Sequence, residues 1–493
     1  MGKKSDRMLR DCILSPQPMI SQIYKPRITP GRNIPDNMIV DIEDSGVYMG
    51  LETTMGKGYY VGKPAKCDGH ILTAGVTGSG KSNILAKSIL ETWQDIIVSI
   101  DIKGELSRHY QCLLQRHLVR RPCIVFDPSN GGSHYDVYAL LKKGDSRFKQ
   151  YVREIVYAII PKPADVRDPY WIDMARDMLT GAIVYYYELG LDFIGTILMV
   201  QDTPTAELCK EIIREGSSNA RMYVSEIASL PRRQQAAIGT EVKRHTMVFA
   251  TDPDIQSALS CSEDEEDCFN AFSWESIVSD AEAPNVFLSI SQDRLAQWSG
   301  VLRVMITQLI RQLERRPEKY SLKGHSMKPF LLLLDEFPLL GNIEDIDTAI
   351  TTLRSKNVTL NIVIQSMTQL DKVYGENVRK TLVDNCDYKV ILRVTEPDTQ
   401  KYLSEMIGTV PTVRGGASQS YSPYTDQPTR GVQVQEIREP LIHPHEFNMN
   451  EDIWLHTPQG FLSAIKLPVI VSNFHVNKFD DAISEYFKRR HST

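Results

Sequence analysis

No two of the eight cysteines in this 493-residue chain stand as a CxxC pair, which excludes both a zinc ribbon and a secreted disulfide framework. They read as reduced thiols. Positive charge is not in surplus either: 56 Lys and Arg face 62 Asp and Glu, for a formal net charge of −6. Such a chain does not coat nucleic acid as a whole, so any contact with it is local. No stretch reads as a signal peptide, because residues 1–37 are polar, rich in proline and interrupted by charge. A membrane anchor is missing too. The nearest candidate, residues 181–200, carries Glu188 and Asp192 and reads as core helix material. There is no internal repeat. What is present is ordinary globular material, 42% hydrophobic and 24% charged, enough for about two to three full-sized domains.

From about residue 56 the chain alternates short apolar runs with helical stretches: HILTAG, SNILAKSILETW, DIIVSIDIKG, ELSRHYQCLLQRH and PCIVFDP. Strands separated by helices of this length imply crossovers onto a parallel sheet buried on both faces. Residues 147–283 differ, with long helical spacing and few β-branched runs. Short buried runs then return as NVFLSI, PFLLLLDEF, LNIVIQS and YKVILRV. The pattern predicts an α/β domain with a mostly parallel central sheet, divided into residues 56–146 and 284–470 by an all-α insertion at 147–283. A basic, polar leader is expected over residues 1–55 and a tail helix over 471–493. Residues 410–435 lack a period and are rich in Gly, Ser, Thr and Pro, as in a long loop or a flexible β excursion.

Gly75-Val76-Thr77-Gly78-Ser79-Gly80-Lys81-Ser82 fits G-x-x-x-x-G-K-[ST], between an apolar strand and a helix beginning at Asn83. Glycines let backbone N–H groups wrap phosphates, and the helix start adds its positive end. Lys81 then reaches the β and γ phosphates, and the Ser82 hydroxyl completes a magnesium shell. The expected ligands are ATP and Mg2+. Leu331 to Glu336 is an apolar run ending in two carboxylates, where Asp335 would hold the metal through water and Glu336 would polarise the attacking water. Gln365 ends the run LNIVIQ, and strand C-termini in such sheets converge on the ligand crevice, so it should face the γ phosphate. Arg354, between these strands, is either a surface ion-pairing residue or an arginine finger donated to a neighbour's ATP, which implies a ring.

The layout is shared with the FtsK/HerA branch of ring ATPases. Asp101-Ile102-Lys103-Gly104-Glu105-Leu106, DEFPLLG at 335–341, TLRSKNVTLNIVIQSMTQL at 352–370 and Asp384-Asn385-Cys386-Asp387 narrow it further. With these motifs the chain resembles the coupling proteins of type IV secretion, the conjugative DNA-transfer ATPases. The resemblance runs from about Tyr59 to Pro468. It implies a RecA-like P-loop domain in a homo-hexamer, with a monomer as the alternative without DNA or partner. It further implies an all-α domain that recognises cargo, a relaxase with its single-stranded DNA, and partnership with the secretion-channel ATPases. Two departures stand out. The family usually begins with two membrane-spanning helices, and nothing before Gly75 could span a bilayer. The expectation is therefore a cytoplasmic form held at the inner face of the membrane by a separate anchoring protein. After Asp127-Pro128, Asp136-Val137-Tyr138 stands where Asn-Pro-Leu is usual.

DNA-contact candidates are Lys372 and Tyr374 after the Gln365 strand, and Arg414, Tyr421 and Tyr424 in the Gly/Ser-rich stretch, each weighed against an ordinary surface role. The acidic run Glu263 to Asp267 is either an exposed loop or a dock for basic cargo. Trp171 reads as a packing anchor at a helix start. Two other functions remain open: delivery of protein effectors without DNA, and a nucleotide-gated docking adaptor that pumps little.

Overall fold

The computed structural model describes residues 35, 38–40, 45–54, 57–163, 169–260, 271–321, 327–344, 346–420 and 429–469. Its strands in chain order are β1 (Gly46–Thr54), β2 (Lys57–Pro64), β3 (Ile71–Ala74), β4 (Ile96–Ile102), β5 (Cys123–Phe126), β6 (His134–Tyr135), β7 (Ala271–Phe272), β8 (Asn285–Ile290), β9 (Phe330–Leu334), β10 (Val358–Ile364), β11 (Tyr388–Ile391), β12 (Thr409–Ser420), β13 (Thr429–Pro440), β14 (Ile453–Thr457) and β15 (Gly460–Ala464). Nine of them form one sheet in the order β15-β14-β11-β3-β10-β9-β4-β8-β5. The ladder from β11 to β5 is parallel, and β14 and β15 add an antiparallel edge.

The sheet is parallel because its apolar runs have no polar face to offer water. Successive side chains alternate between faces, so Leu331 and Leu333 enter one core while Leu332 and Leu334 enter the other. All of β9 and β10 is buried. On one face, α1 (Lys87–Thr92) and α2 (Glu105–Gln115) cover the sheet, joined by the β1–β2 hairpin. The hairpin locks on through Leu51, whose N–H and C=O bond to Ile465 at 3.1 and 2.9 Å. This corrects the expected leader at 1–55: its last residues are a strand with Val47, Tyr48, Met49 and Leu51 buried.

The helical insertion comprises α3 (Phe148–Ile159), α4 (Tyr170–Glu188), α5 (Phe193–Asp202), α6 (Thr205–Glu215), α7 (Ser218–Ser229), α8 (Arg232–Thr251) and α9 (Pro253–Leu259). Side-chain caps start several of these helices: Asp192 accepts from Gly195 N at 2.7 Å, and Ser217 from Ala220 N at 3.3 Å. The insertion shares one continuous apolar core with the second face of the sheet. Its end is not purely helical. The chain leaves and returns through the parallel pair β6–β7, followed by α10 (Trp274–Ser279). Buried Asp252, the cap of α9, also accepts from Trp298 Nε1 at 2.8 Å, which ties the insertion to α11 (Leu295–Glu314). Trp171 is 41% exposed, so it is not the expected anchor; that work falls to Trp274 and Trp298.

The remaining helices are α12 (Ile346–Ser355), α13 (Met367–Asn385) and α14 (Pro397–Ile407). The expected loop at 410–435 takes its β form: β12 and β13 pair antiparallel from Thr409↔Pro440 to Ser420↔Thr429. Among the described residues no helix is long and apolar enough to cross a membrane. The acidic run and the tail helix lie outside the described residues.

Candidate active site

At the C-terminal end of β3 the chain turns under restraint from two neighbouring strands. Gly75 N donates to Ile364 O at 3.1 Å and Val76 N to Arg393 O at 2.9 Å. A Cβ on Gly75 would meet Ser79 Oγ at 2.6 Å and Leu392 Cβ at 2.9 Å, so only glycine fits. Gly78 and Gly80 take φ of 78° and 104°, values that L side chains rarely adopt. The next helix begins with π-type turns at Lys81–Ala86, and Lys81 Nζ reaches back to Gly75 O at 2.5 Å. Ser82, Thr77 and Asn83 line the mouth of the loop.

The parallel register brings the acid pair to the same place. Ile362 pairs with Leu334 and Ile364 with Ala74, so β3, β9 and β10 end together. Asp335 and Glu336 follow β9, and Gln365 follows β10. Gln365 Nε2 donates to Glu336 Oε1 at 2.7 Å, and Lys81 Nζ stands 4.0 Å from that oxygen. The second oxygen, Glu336 Oε2, is buried without a hydrogen-bond partner, as is Ser79 Oγ. Burial pushes Asp335 up to about 6, with the neighbouring Glu336 charge adding to the effect and Lys81 opposing it. Burial pulls Lys81 below the usual amine range, against the pull of Glu336 and Asp335.

These groups enclose a cavity of about 470 Å3. Three features of it suit a magnesium-bound triphosphate: glycines that leave backbone N–H groups open, a buried cation beside them, and a carboxyl held near 6 that a divalent ion would return to its charged form. Sequence alone does not point to several lining residues, including Gln292, Leu295 and Leu339. Gln292 follows β8 and is accessible to the same strand-end rule as Gln365. Asp101, the first residue of the DIKGEL motif, is 1% exposed and caps α2 by accepting from Leu106 N at 3.0 Å and Ser107 N at 2.8 Å.

Arg354 is not in this cavity. It sits in the last turn of α12, before β10 begins, and pairs with Asp387 at 3.1 Å where β11 begins. Seven residues of β10 at roughly 3.3 Å each separate that end of the sheet from the P-loop end. Tyr374 is corrected as a DNA contact: it is 5% exposed and stacks on Phe337 with ring centroids 5.6 Å apart. Lys372 is exposed. Arg414 lies on β12, and Tyr421 and Tyr424 fall outside the described residues.

The fold and cavity define a RecA-like P-loop nucleotide-binding protein with a helical insertion. A family model described as type IV secretory system conjugative DNA transfer matches residues 29–455, and the chain belongs to that family. Protein VirD4 of Rhizobium rhizogenes is 24% identical over 396 residues, covering 78% of this chain and 55% of the relative. Conjugal transfer protein TraG of Escherichia coli is 22% identical over 404 residues, covering 76% and 61%. The chain thus spans little more than half the length of these relatives. The fold is similar to that of plasmid coupling protein TrwB in complex with a non-hydrolysable ATP analogue, with TM-score 0.67 and 15% identity over 93% of this chain and 97% of that one. It also resembles TrwB in complex with ADP and Mg2+, with TM-score 0.62 and 16% identity over 93% and 96%.

Proposed function

We propose that this chain is the ATP-hydrolysing coupling protein of a conjugative type IV secretion system. The observation that carries the reading is the meeting of Lys81, Glu336 and Gln365 around the P-loop cavity. In it, Lys81 binds the β and γ phosphates, with Thr77, Gly78 and Gly80 offering backbone donors, while Gly75 and Ser79, whose N–H groups bond Ile364 O and Val76 O, set the shape of the loop and Asn83 stands at the rim. Ser82 and Asp335 would hold Mg2+, which neutralises phosphate charge when bound. Glu336 takes up the proton of the attacking water, and Gln365 holds the Glu336 carboxylate in place while facing the γ phosphate. Family membership and the TrwB complexes with an ATP analogue and with ADP and Mg2+ support this assignment.

In this reading the cargo is a relaxase with its single-stranded DNA, moved toward the channel at the inner face of the membrane by a homo-hexamer, and membership of a conjugative DNA-transfer family supports it. The secretion ATPases and a membrane-anchoring protein are its neighbours in this reading. The distance of Arg354 from its own cavity and its 47% side-chain exposure suit a finger that serves the adjacent subunit. Phosphate release by the full chain, with and without single-stranded DNA, tests the reading. Stimulation by DNA that disappears in Lys81→Ala supports it. Turnover indifferent to DNA favours delivery of proteins alone, and no turnover in the wild type leaves a docking adaptor.

A further inference from the structure

The residues after Glu336 run straight to the root of the helical insertion. Glu336 has φ 50° and ψ 42°, a left-handed conformation that is strained for a non-glycine residue. It turns the chain out of β9 into a short 3-10 helix, Phe337–Leu340, in which Leu339 N donates to Glu336 O at 2.8 Å. Phe337 is fully buried against Tyr374, whose hydroxyl donates to Gly341 O at 3.1 Å.

The far end of this segment is bonded to the last residues of α3 and to the chain just beyond that helix. Arg303 of α11 donates from Nε to Ala158 O at 2.6 Å, and from its other nitrogens to Ile159 O and Leu340 O at 3.4 Å each. Ala158 and Ile159 end α3, where free carbonyls favour a cation. Burial draws Arg303 down to about 10, so it stays charged at neutral pH. Asn342 Nδ2 donates to Lys162 O at 2.7 Å, and Lys162 N to Glu344 Oε1 at 2.8 Å. Buried Arg176 of α4 closes the junction by bonding both Glu344 and Ile160 O.

We propose that residues 337–344 form a strut that couples the position of Glu336 to the helical insertion, with Arg303 as the positioning residue that joins them. This rests on the nucleotide reading of the cavity. One end of the strut is the carboxylate held by Gln365, and the other is the carbonyl set at 158–162 that carries the insertion. Gly341 supplies its only positive-φ glycine, and a Cβ there would meet the Arg303 guanidinium at 3.0 Å. A shift of Glu336 must therefore move Leu340 against Arg303 or carry Arg303 and the end of α3 with it. A packed junction of this kind has discrete arrangements, not a continuum.

Hydrogen exchange of the full chain, with and without Mg2+ and the non-hydrolysable ATP analogue ADPNP, tests the coupling. In the wild type, ADPNP protects residues 75–82 and changes exchange over 158–163 and 337–344. In Arg303→Met protection at 75–82 persists while the response over 158–163 falls about fivefold, the low end of coupling between two sites. Arg303→Lys, which keeps the charge and one reach, restores part of it. Asn342→Ala, at an exposed contact, loses part of the response independently of how well Arg303→Met folds. An undiminished response in both variants overturns the strut. So does a wild type protected at 75–82 but unchanged at 158–163, which leaves the nucleotide site standing. A wild type unprotected at 75–82 overturns both.

Discussion

Replacing Glu336 by glutamine separates the charge of that residue from its shape. The amide oxygen can still accept from Gln365 Nε2, now at 2.7 Å from Oε1, so the loop keeps its anchor. The basic group and the attraction to Lys81 are lost. At 4.0 Å that attraction is about 4 kcal/mol with an effective dielectric constant near 20. Its loss lets burial draw Lys81 further down, while the removal of a neighbouring charge lets Asp335 fall back from about 6. The two changes oppose each other, so the nucleotide-free fold changes little. Turnover should fall by about 10² to 10⁴, the usual share of a positioned base, equivalent to about 3 to 5 kcal/mol. Binding should survive, because Lys81 and the glycine cradle are untouched. Phosphate release and binding of a fluorescent ATP analogue measure the two separately. Turnover at the wild-type rate in Glu336→Gln would remove Glu336 from the role of base.

Mixing Arg354→Ala chains with Lys81→Ala chains should recover turnover that neither has alone, since a wild-type loop then meets a neighbour's wild-type arginine; no recovery sinks the finger. Gly75→Ala should weaken nucleotide binding by about tenfold or more, because its Cβ would lie 2.6 Å from Ser79 Oγ; unchanged binding by titration calorimetry would show that the loop can yield. Buried His70 receives Leu360 N at 3.0 Å on Nδ1 and bonds Ile350 O at 2.7 Å through Nε2. Burial lowers it to about 4, with Lys63 and Arg354 adding to the effect and the Ile350 bond and Asp68 opposing it. The unfolded chain thus binds the extra proton first. About 3 kcal/mol of stability, present above pH 6.5, should be lost as pH falls toward 4. His70→Gln should flatten that slope in urea melts; equal slopes for both chains would place the proton elsewhere.

Residues whose role is set by backbone chemistry over a few positions are legible in the sequence. The P-loop needs glycine at fixed places whatever surrounds it, and an apolar strand that ends in two acids can only present them at the sheet's C-terminal edge. Gln365 yields to the same rule, whereas Gln292, which obeys it, carries no motif to draw the eye. Residues whose role is set by a distant partner are not legible. GVYMGLETT pairs locally with β2, but nothing in it signals that the hairpin is buried, because the contact that docks it runs from Leu51 to Ile465, more than four hundred positions on. Tyr374 has the make-up of a base-stacking residue, and only the arrival of Phe337 from another strand end takes it out of reach of DNA. Arg303 is the sharper case. On a helix rich in buried apolar residues, an arginine reads as a solvated position, yet Arg303 is half-buried and held by three carbonyls from two separate segments. A half-buried cation whose acceptors are all backbone cannot be read from side-chain patterns. It is also the kind of contact that fixes one backbone segment relative to another. The residues that bind nucleotide are thus written locally, whereas those that would pass its state to the insertion are written in the tertiary contacts.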